Sequence, residues 1–345
     1  MPGLKKPAAI AALIAIALLA LPQASAKELK VVSTFSIISD LAQNVGGEHI
    51  ALTTLVGPDG DTHAYEPRPT DAVAVRHADV ILANGLHLEG FLQRLVQASG
   101  GKAPVVALSK GVKLLNSADD HDHSEDGHNA HDHDDSHDHD HKHERDHKHD
   151  HGHSHEHNQD DKQGHHHHGE FDPHAWQSVE NAQVYVANIA DAFCAADSEG
   201  CPAYRANAAS YTEKLKALDA DIKASVEQIP ADKRTLITSH DAFAYLGQEY
   251  GLRFLAPQGL GTDSEASAGD VAALIRQIKA QKAAGLFLEN ISNPRLIEQI
   301  AKETGMKIGG KLYSDALSAE NGPAATYIDM MRHNIATIRD TVLEK

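Results

Sequence analysis

Residues 29–56 read LKVVSTFSIISDLAQNVGGEHIALTTLV, and the change of period along them decides the fold class. The run 29–34 is short and β-branched, as a strand requires. Apolar residues Ile37, Ile38, Leu41 and Val45 then recur at helical spacing, and 49–56 returns to strand composition. A strand, a helix and a strand in succession form a parallel βαβ unit. Outward from it the alternation continues, with a helix over 70–76, a strand over 79–83, a helix over 88–98 and a strand over 104–107. Two long amphipathic helices follow at 179–196 and 202–228, with Pro202 suited to the first turn of the second. Strands at 235–238, 253–257, 285–289 and 307–310 then alternate with helices at 243–250, 269–281, 294–303 and 323–342. The expectation is an α/β protein with two parallel-sheet lobes joined by long helices. The first lobe covers residues 27–177, the linking helices 178–230 and the second lobe 231–345. A chain of 345 residues suits two domains.

Inside the first lobe the alternation is interrupted by a histidine–acid tract, HDHSEDGHNAHDHDDSHDHDHKHERDHKHDHGHSHEHNQDDKQGHHHH, from His121 to His168. It holds most of the chain's 26 histidines. Imidazole is the commonest protein ligand for divalent transition metals, and near neutral pH most of it is unprotonated and able to coordinate. Interleaved acids lower the local potential and draw cations in. The stretch is almost free of aliphatic and aromatic residues, so residues 119–169 are expected to be a disordered loop that gathers or buffers metal. Weak, interchangeable sites are expected at His121, His123, His131, His133, His137, His139, His141, His143, His147, His149, His151, His153, His155, His157, His165, His166, His167 and His168. The alternative is a solvated linker with no task, which would not need a histidine every two or three residues.

At the N-terminus, Lys5 and Lys6 precede an apolar run over 8–21 that ends at Ala24-Ser25-Ala26. This is the pattern of a cleaved secretory signal over residues 1–26, and the run is short for a membrane span. No lipobox cysteine stands at the cleavage site, so a free periplasmic protein, expected to be monomeric, is favoured over a lipid-anchored one. The formal charge is −18, and much of it is local: residues 119–170 carry 17 acids against Lys142, Arg145, Lys148 and Lys162. That distribution argues against nucleic acid as a partner, which would need clustered cations. The only two cysteines, Cys194 and Cys201, are expected to form a disulfide in an oxidising compartment. A two-cysteine metal site is the weaker alternative at that spacing.

Seven histidines lie outside the tract. Three of them sit where a strand should have just ended or beside a proline-marked turn. His63 is in GPDGDTHAYEPRPTD (57–71), His174 in FDPHAW (171–176) with the sole tryptophan Trp176, and His240 in TSHDAFAY (238–245). Asp315, in KLYSDAL (311–317), is a fourth candidate. Ligands of open α/β sheets bind beyond the carboxyl ends of strands, and three imidazoles with a carboxylate suit tetrahedral zinc. His49, His77, His87 and His333 are taken as ordinary surface or face residues.

These four segments, in this order, resemble the motifs of the cluster A-I metal-binding proteins, the solute receptors of ABC importers for zinc and manganese. The resemblance spans essentially the whole chain after the leader. It implies two (β/α)₄ lobes joined by a rigid helical backbone, with the ion in the cleft between them. By the same resemblance, His63 and His174 are ligands from the first lobe and His240 and Asp315 from the second. The partner would be the membrane permease of an ABC transporter, and the ion its transported cargo. Zinc members of that family often carry a His/acid-rich loop between the first two ligand motifs, as this chain does.

The third position bears on the metal, because manganese members typically place a carboxylate there and this chain has His240, which favours zinc. One departure is Asp61-Thr62-His63, where the common motif has Asp-Pro-His; Asp61 becomes an outer partner candidate, as do Glu66, Asp172 and Asp241. Some zinc members of that family use water or a nearby carboxylate at the place that Asp315 takes here. Two other classes stay open: a secreted zinc hydrolase, which would want a motif such as His-Glu-x-x-His and an open coordination position, and a metal-sequestering surface protein.

Overall fold

The computed structural model describes residues 28–117 and 170–344. The leader and the histidine tract, with the sites expected on it, lie outside the described residues.

In the first lobe the chain runs through β1 (Leu29–Phe35), α1 (Ser36–Gly46), β2 (Ile50–Val56), α2 (Pro69–His77), β3 (Val80–Ala83), α3 (Leu92–Ser99) and β4 (Val105–Ala107). The linking helices are α4 (Val179–Ala196) and α5 (Cys201–Glu227). The second lobe has β5 (Thr235–Ile237), α6 (Ala244–Tyr250), β6 (Arg253–Leu255), α7 (Ala268–Gln281), β7 (Gly285–Glu289), α8 (Arg295–Thr304), β8 (Ile308–Leu312) and α9 (Tyr327–Val342). The two four-stranded sheets have orders β2-β1-β3-β4 and β6-β5-β7-β8, and every pairing is parallel. This is the expected α/β architecture of two parallel-sheet lobes. In each sheet the connection reverses direction beside the first strand, so the crevice at that switch point opens beyond β1 and β3 in one lobe and beyond β5 and β7 in the other.

Parallel strands covered by helices on both faces should be continuously apolar, and β3 is buried at all four positions. Helix α1 buries Ile37, Ile38, Leu41 and Val45, the residues whose spacing announced it. The larger core includes Phe35, Trp176, Tyr185, Tyr204 and Tyr327, and so runs from the first sheet through α4, α5 and α9; Leu236, Phe243 and Phe287 carry it into the second lobe. A smaller cluster around Ile237, Val271, Leu286 and Ile300 lies between the second sheet and helices α7 and α8. Cys194 and Cys201 form the expected disulfide across the α4–α5 turn. There Asp197 accepts from Gly200 N at 3.2 Å and from the Tyr204 hydroxyl at 2.8 Å.

Two helices begin later than their periodicity predicts. Helix α3 starts at Leu92 because Gly85, Leu86 and His87 all take positive φ, folding the segment back so that Glu89 accepts from Asn84 N at 2.6 Å and Gly85 N at 3.1 Å. Helix α9 starts at Tyr327 because Thr326 caps it, accepting from Asp329 N at 3.1 Å. Among the described residues no helix is long and apolar enough to cross a membrane.

The tract leaves and re-enters the lobe at one place. Asn116 and Phe171 form an antiparallel bridge, Ser117 N donates to Glu170 O at 3.0 Å, and Asp172 N donates to Leu115 O at 3.0 Å. A closed neck of this kind lets the insertion be removed without separating its flanks. Replacing residues 118–169 by a two-residue Asn-Gly turn should therefore leave the thermal midpoint of the metal-free protein within a few degrees of the parent, as circular dichroism would show. A large loss would mean that the neck depends on the tract.

Candidate metal centre

Each of the four residues picked from the sequence lies beyond a sheet or beside a turn, and the fold brings all four together. His63 is in the loop after β2, His174 precedes a single 3-10 turn (Ala175–Gln177), His240 follows β5, and Asp315 follows β8. One ligand atom from each lies within 4.8 Å of every other. Asp315 Oδ2 is 3.1 Å from both His63 Nε2 and His240 Nε2, and His174 Nε2 is 3.4 Å from His63 Nε2 and 3.7 Å from Asp315 Oδ1. A tetrahedral zinc ion with bonds of about 2.0–2.1 Å sets donor–donor edges of about 3.3–3.4 Å, so the spacing suits a small ion.

The outward nitrogens decide what the inward ones offer. His174 Nδ1 donates to Asp172 Oδ1 at 2.7 Å, and that same oxygen accepts His174 N at 2.8 Å. His240 Nδ1 lies 2.6 Å from Glu289 Oε2, out of line for a regular hydrogen bond, while Glu289 Oε1 accepts Ser239 N at 2.6 Å and His240 N at 2.9 Å. A proton kept on each Nδ1 leaves both Nε2 atoms as lone pairs facing the Asp315 carboxylate. Asp315 Oδ1 is buried with no hydrogen-bond partner among the described residues. Lone pairs and a carboxylate converging on one point repel unless a cation or protons lie between them.

Without an ion, protons take that place. Burial would lower the pKa of His174, but Asp315 and Asp172 outweigh it and hold it above the ordinary value. Burial likewise opposes charge on His240, and Glu289 and Asp315 raise it well above the usual range. For Asp315 burial favours the neutral acid, yet His240 and His174 hold its carboxyl well below the usual carboxylate range.

The loops carrying these groups are braced by buried polar contacts. Trp176 Nε1 and Gln177 Nε2 both donate to Ser314 O, at 3.0 and 2.7 Å, which ties the residue before Asp315 to the segment after His174. Asn84 Nδ2 donates to Pro173 O at 2.9 Å, and the Glu89 carboxylate beneath it also accepts the Thr34 hydroxyl at 2.7 Å. Asp61 Oδ1 accepts His63 N at 2.9 Å. Thr62, where the common motif has proline, is fully buried, and its hydroxyl has no partner among the described residues.

Of the outer partners considered from sequence, Asp172 and Asp61 touch candidate ligands, Glu66 is exposed, and Glu289 rather than Asp241 faces His240 Nδ1. Glu289 was not anticipated; its one signal is a charge ending the otherwise apolar strand GLFLE. Glu89, Asn84 and Gln177 had no sequence signal. His49, His77, His87 and His333 stand apart from the cluster, His49 against Tyr204 and His333 on Lys311 O at 3.0 Å.

Residues 31–341 match the family described as zinc-uptake complex component A, periplasmic. Among individual proteins, the chain is 31% identical over 317 residues to the iron-binding protein YfeA of Yersinia pestis, covering 92% of this chain and 87% of that one. It is 32% identical over 320 residues to the manganese-binding lipoprotein MntA of Bacillus subtilis, covering 90% and 89%. The solved periplasmic zinc binding protein TroA of Treponema pallidum superimposes with a TM-score of 0.72 at 27% identity, over 92% of this chain and 99% of that one. The manganese-bound periplasmic metal binding protein of Candidatus Liberibacter asiaticus gives 0.71 at 28%, over 92% and 100%. With a buried cation-shaped cluster between two parallel-sheet lobes and matches along nearly its whole length, this chain belongs to the periplasmic zinc-uptake component A family, the metal-binding substrate receptors of ABC transporters.

Proposed function

We propose that this chain captures Zn²⁺ in the periplasm, after cleavage of residues 1–26, and delivers it as a monomer to the permease of an ABC importer. His63, His174, His240 and Asp315 hold the ion, and the tract gathers or buffers zinc nearby. The observation that carries the choice of metal is the third position: His240 offers a nitrogen to the site, with the Glu289 carboxylate 2.6 Å behind its other nitrogen. Three imidazoles and one carboxylate form a closed tetrahedral set, a zinc preference; manganese favours oxygen and a higher coordination number. The reading that competes with it is manganese or iron transport, since relatives are named for those metals. A hydrolase would need an open coordination position, whereas four donors close the shell here.

The choice is tested at His240. Replacing it with Ala should cost the tight site at least about a hundredfold in zinc affinity, and Glu289→Gln about 10- to 100-fold through loss of the outer carboxylate. His240→Glu should keep a site but shift the zinc-to-manganese ratio of dissociation constants toward manganese, measured by competitive titration in parent and variant. An unchanged ratio with an undamaged tight site would remove His240 from the coordination sphere.

Protonation gives a second test. His174 and His240 are raised in the ion-free protein, so an entering cation must displace their protons. Calorimetry in buffers of different ionisation enthalpy should show net release of protons as the ion binds near neutral pH. Affinity should keep climbing above pH 6.5, the ordinary imidazole value, instead of levelling there. Stability of the ion-free protein should run the other way. Its raised histidines contribute fully below about pH 6.5, and the contribution is lost as pH rises through their folded values. The depressed Asp315 contributes above its ordinary range and loses that contribution as pH falls through its lowered value. Melting curves with and without zinc should therefore diverge as pH rises from 6 to 9.

A further inference from the structure

One loop of the second lobe touches the carriers of His240 and of His63 alike. It covers residues 256–267, between β6 and α7. Near its start it is hooked to the His240 segment: Gln258 and His240 form an isolated parallel bridge, and Asp241 N donates to Gly259 O at 3.2 Å. Four residues beyond Gln258, Thr262 Oγ1 crosses the cleft and donates to Asp61 Oδ2 at 2.5 Å. The other oxygen of that carboxylate accepts His63 N at 2.9 Å. Asp61 thus joins the backbone of a first-lobe ligand to a second-lobe loop.

The four arms of the site are not equally anchored. His174, His240 and Asp315 are fully buried, and each is held by a buried contact to Asp172, Glu289 or, through Ser314, Trp176. His63 is the one of the four with side-chain exposure, 8%, so the site comes nearest to solvent on its side. A cavity lined by Asp61, Gln258, Thr262, Val271, Ile275 and Leu296 opens beside the Thr262–Asp61 contact. Loss of an ion from a closed shell proceeds one ligand at a time and starts with the arm that moves most easily. That arm is His63, and its freedom is limited by Asp61.

We propose that Thr262 is a positioning residue which, through Asp61, clamps the His63 loop across the cleft and sets the rate at which the ion leaves. This rests on the reading of the four residues as the cargo site. A hydroxyl donating to a carboxylate in a half-buried setting is stronger than a neutral pair, so its loss should be visible in the kinetics.

The test uses the zinc-loaded full chain mixed with excess chelator in a stopped-flow instrument, reading the slowest phase of release. Thr262→Val and Thr262→Ala both remove the hydroxyl and should each speed that phase about tenfold, the effect of one charge-assisted hydrogen bond. Thr262→Ser keeps the hydroxyl and should release at the parent rate. The melting midpoint of the ion-free protein should fall by no more than about 2–4 °C in the two hydroxyl-free variants, the cost of that one bond, and not at all in Thr262→Ser; a larger fall would mark a merely structural role. Either hydroxyl-free variant folding normally and releasing at the parent rate overturns the proposal. So does an acceleration that Thr262→Ser shares, which would assign the effect to the methyl group. A parent with no slow phase would remove the cargo site itself, an outcome distinct from a slow phase indifferent to Thr262.

Discussion

Burying the Asp315 carboxylate costs several kcal/mol unless positive charge lies beside it, and both lobes are arranged around that cost. Three Nε2 atoms surround it, and the carboxylates of Asp172 and Glu289 lie against the outer nitrogens of two of those rings. Asp172, Glu289 and Asp315 therefore share one buried neighbourhood, and among the described residues no lysine or arginine forms an ion pair with any of them. Protonated imidazoles balance that charge when the site holds no ion, and a divalent cation balances it when one arrives. Protons and a divalent cation would thus compensate charge at the same point.

The same constraint explains the braces in the loops. A ligand sphere needs its donors fixed closely, and loops do not supply that by themselves. Ser314 O receives two donors from the segment after His174, Pro173 O receives the Asn84 amide, and Tyr245 OH donates to Asp172 O at 2.9 Å. Each of these bonds satisfies a backbone carbonyl that a buried loop would otherwise leave unpaired. Several of them cross between lobes, so the bonds that brace the site also tie the two lobes together.

Much of this was legible in the chain. The apolar spacing of Ile37, Ile38, Leu41 and Val45 gave α1, and the alternation around it gave two parallel sheets. His63, His174, His240 and Asp315 stood out because each sits in a loop beyond a strand or beside a proline, where α/β ligands bind. What was hidden depends on tertiary contact. Leu86 and His87 rarely take positive φ, and only Glu89 reaching back to Asn84 and Gly85 makes that turn, which is why α3 began four residues late. In the sequence Glu289 is only a charge ending the apolar strand GLFLE. Its partner His240 is 49 residues away, and only the pairing of β5 with β7 puts them side by side.

The contacts divide by chemistry in a way that bears on release. Away from the cleft, the linking helices α4 and α5 and helix α9 share one apolar core with the first sheet, so that part of the molecule has little freedom to open. Across the cleft the contacts include polar ones: Thr262 on Asp61, Asn290 on Asp59 at 3.0 Å, and Asp59 N on Leu317 O at 2.9 Å. An apolar interface loses its full burial energy when it parts, whereas exposed hydrogen bonds exchange for bonds to water at a net cost of about 0.5–1.5 kcal/mol each.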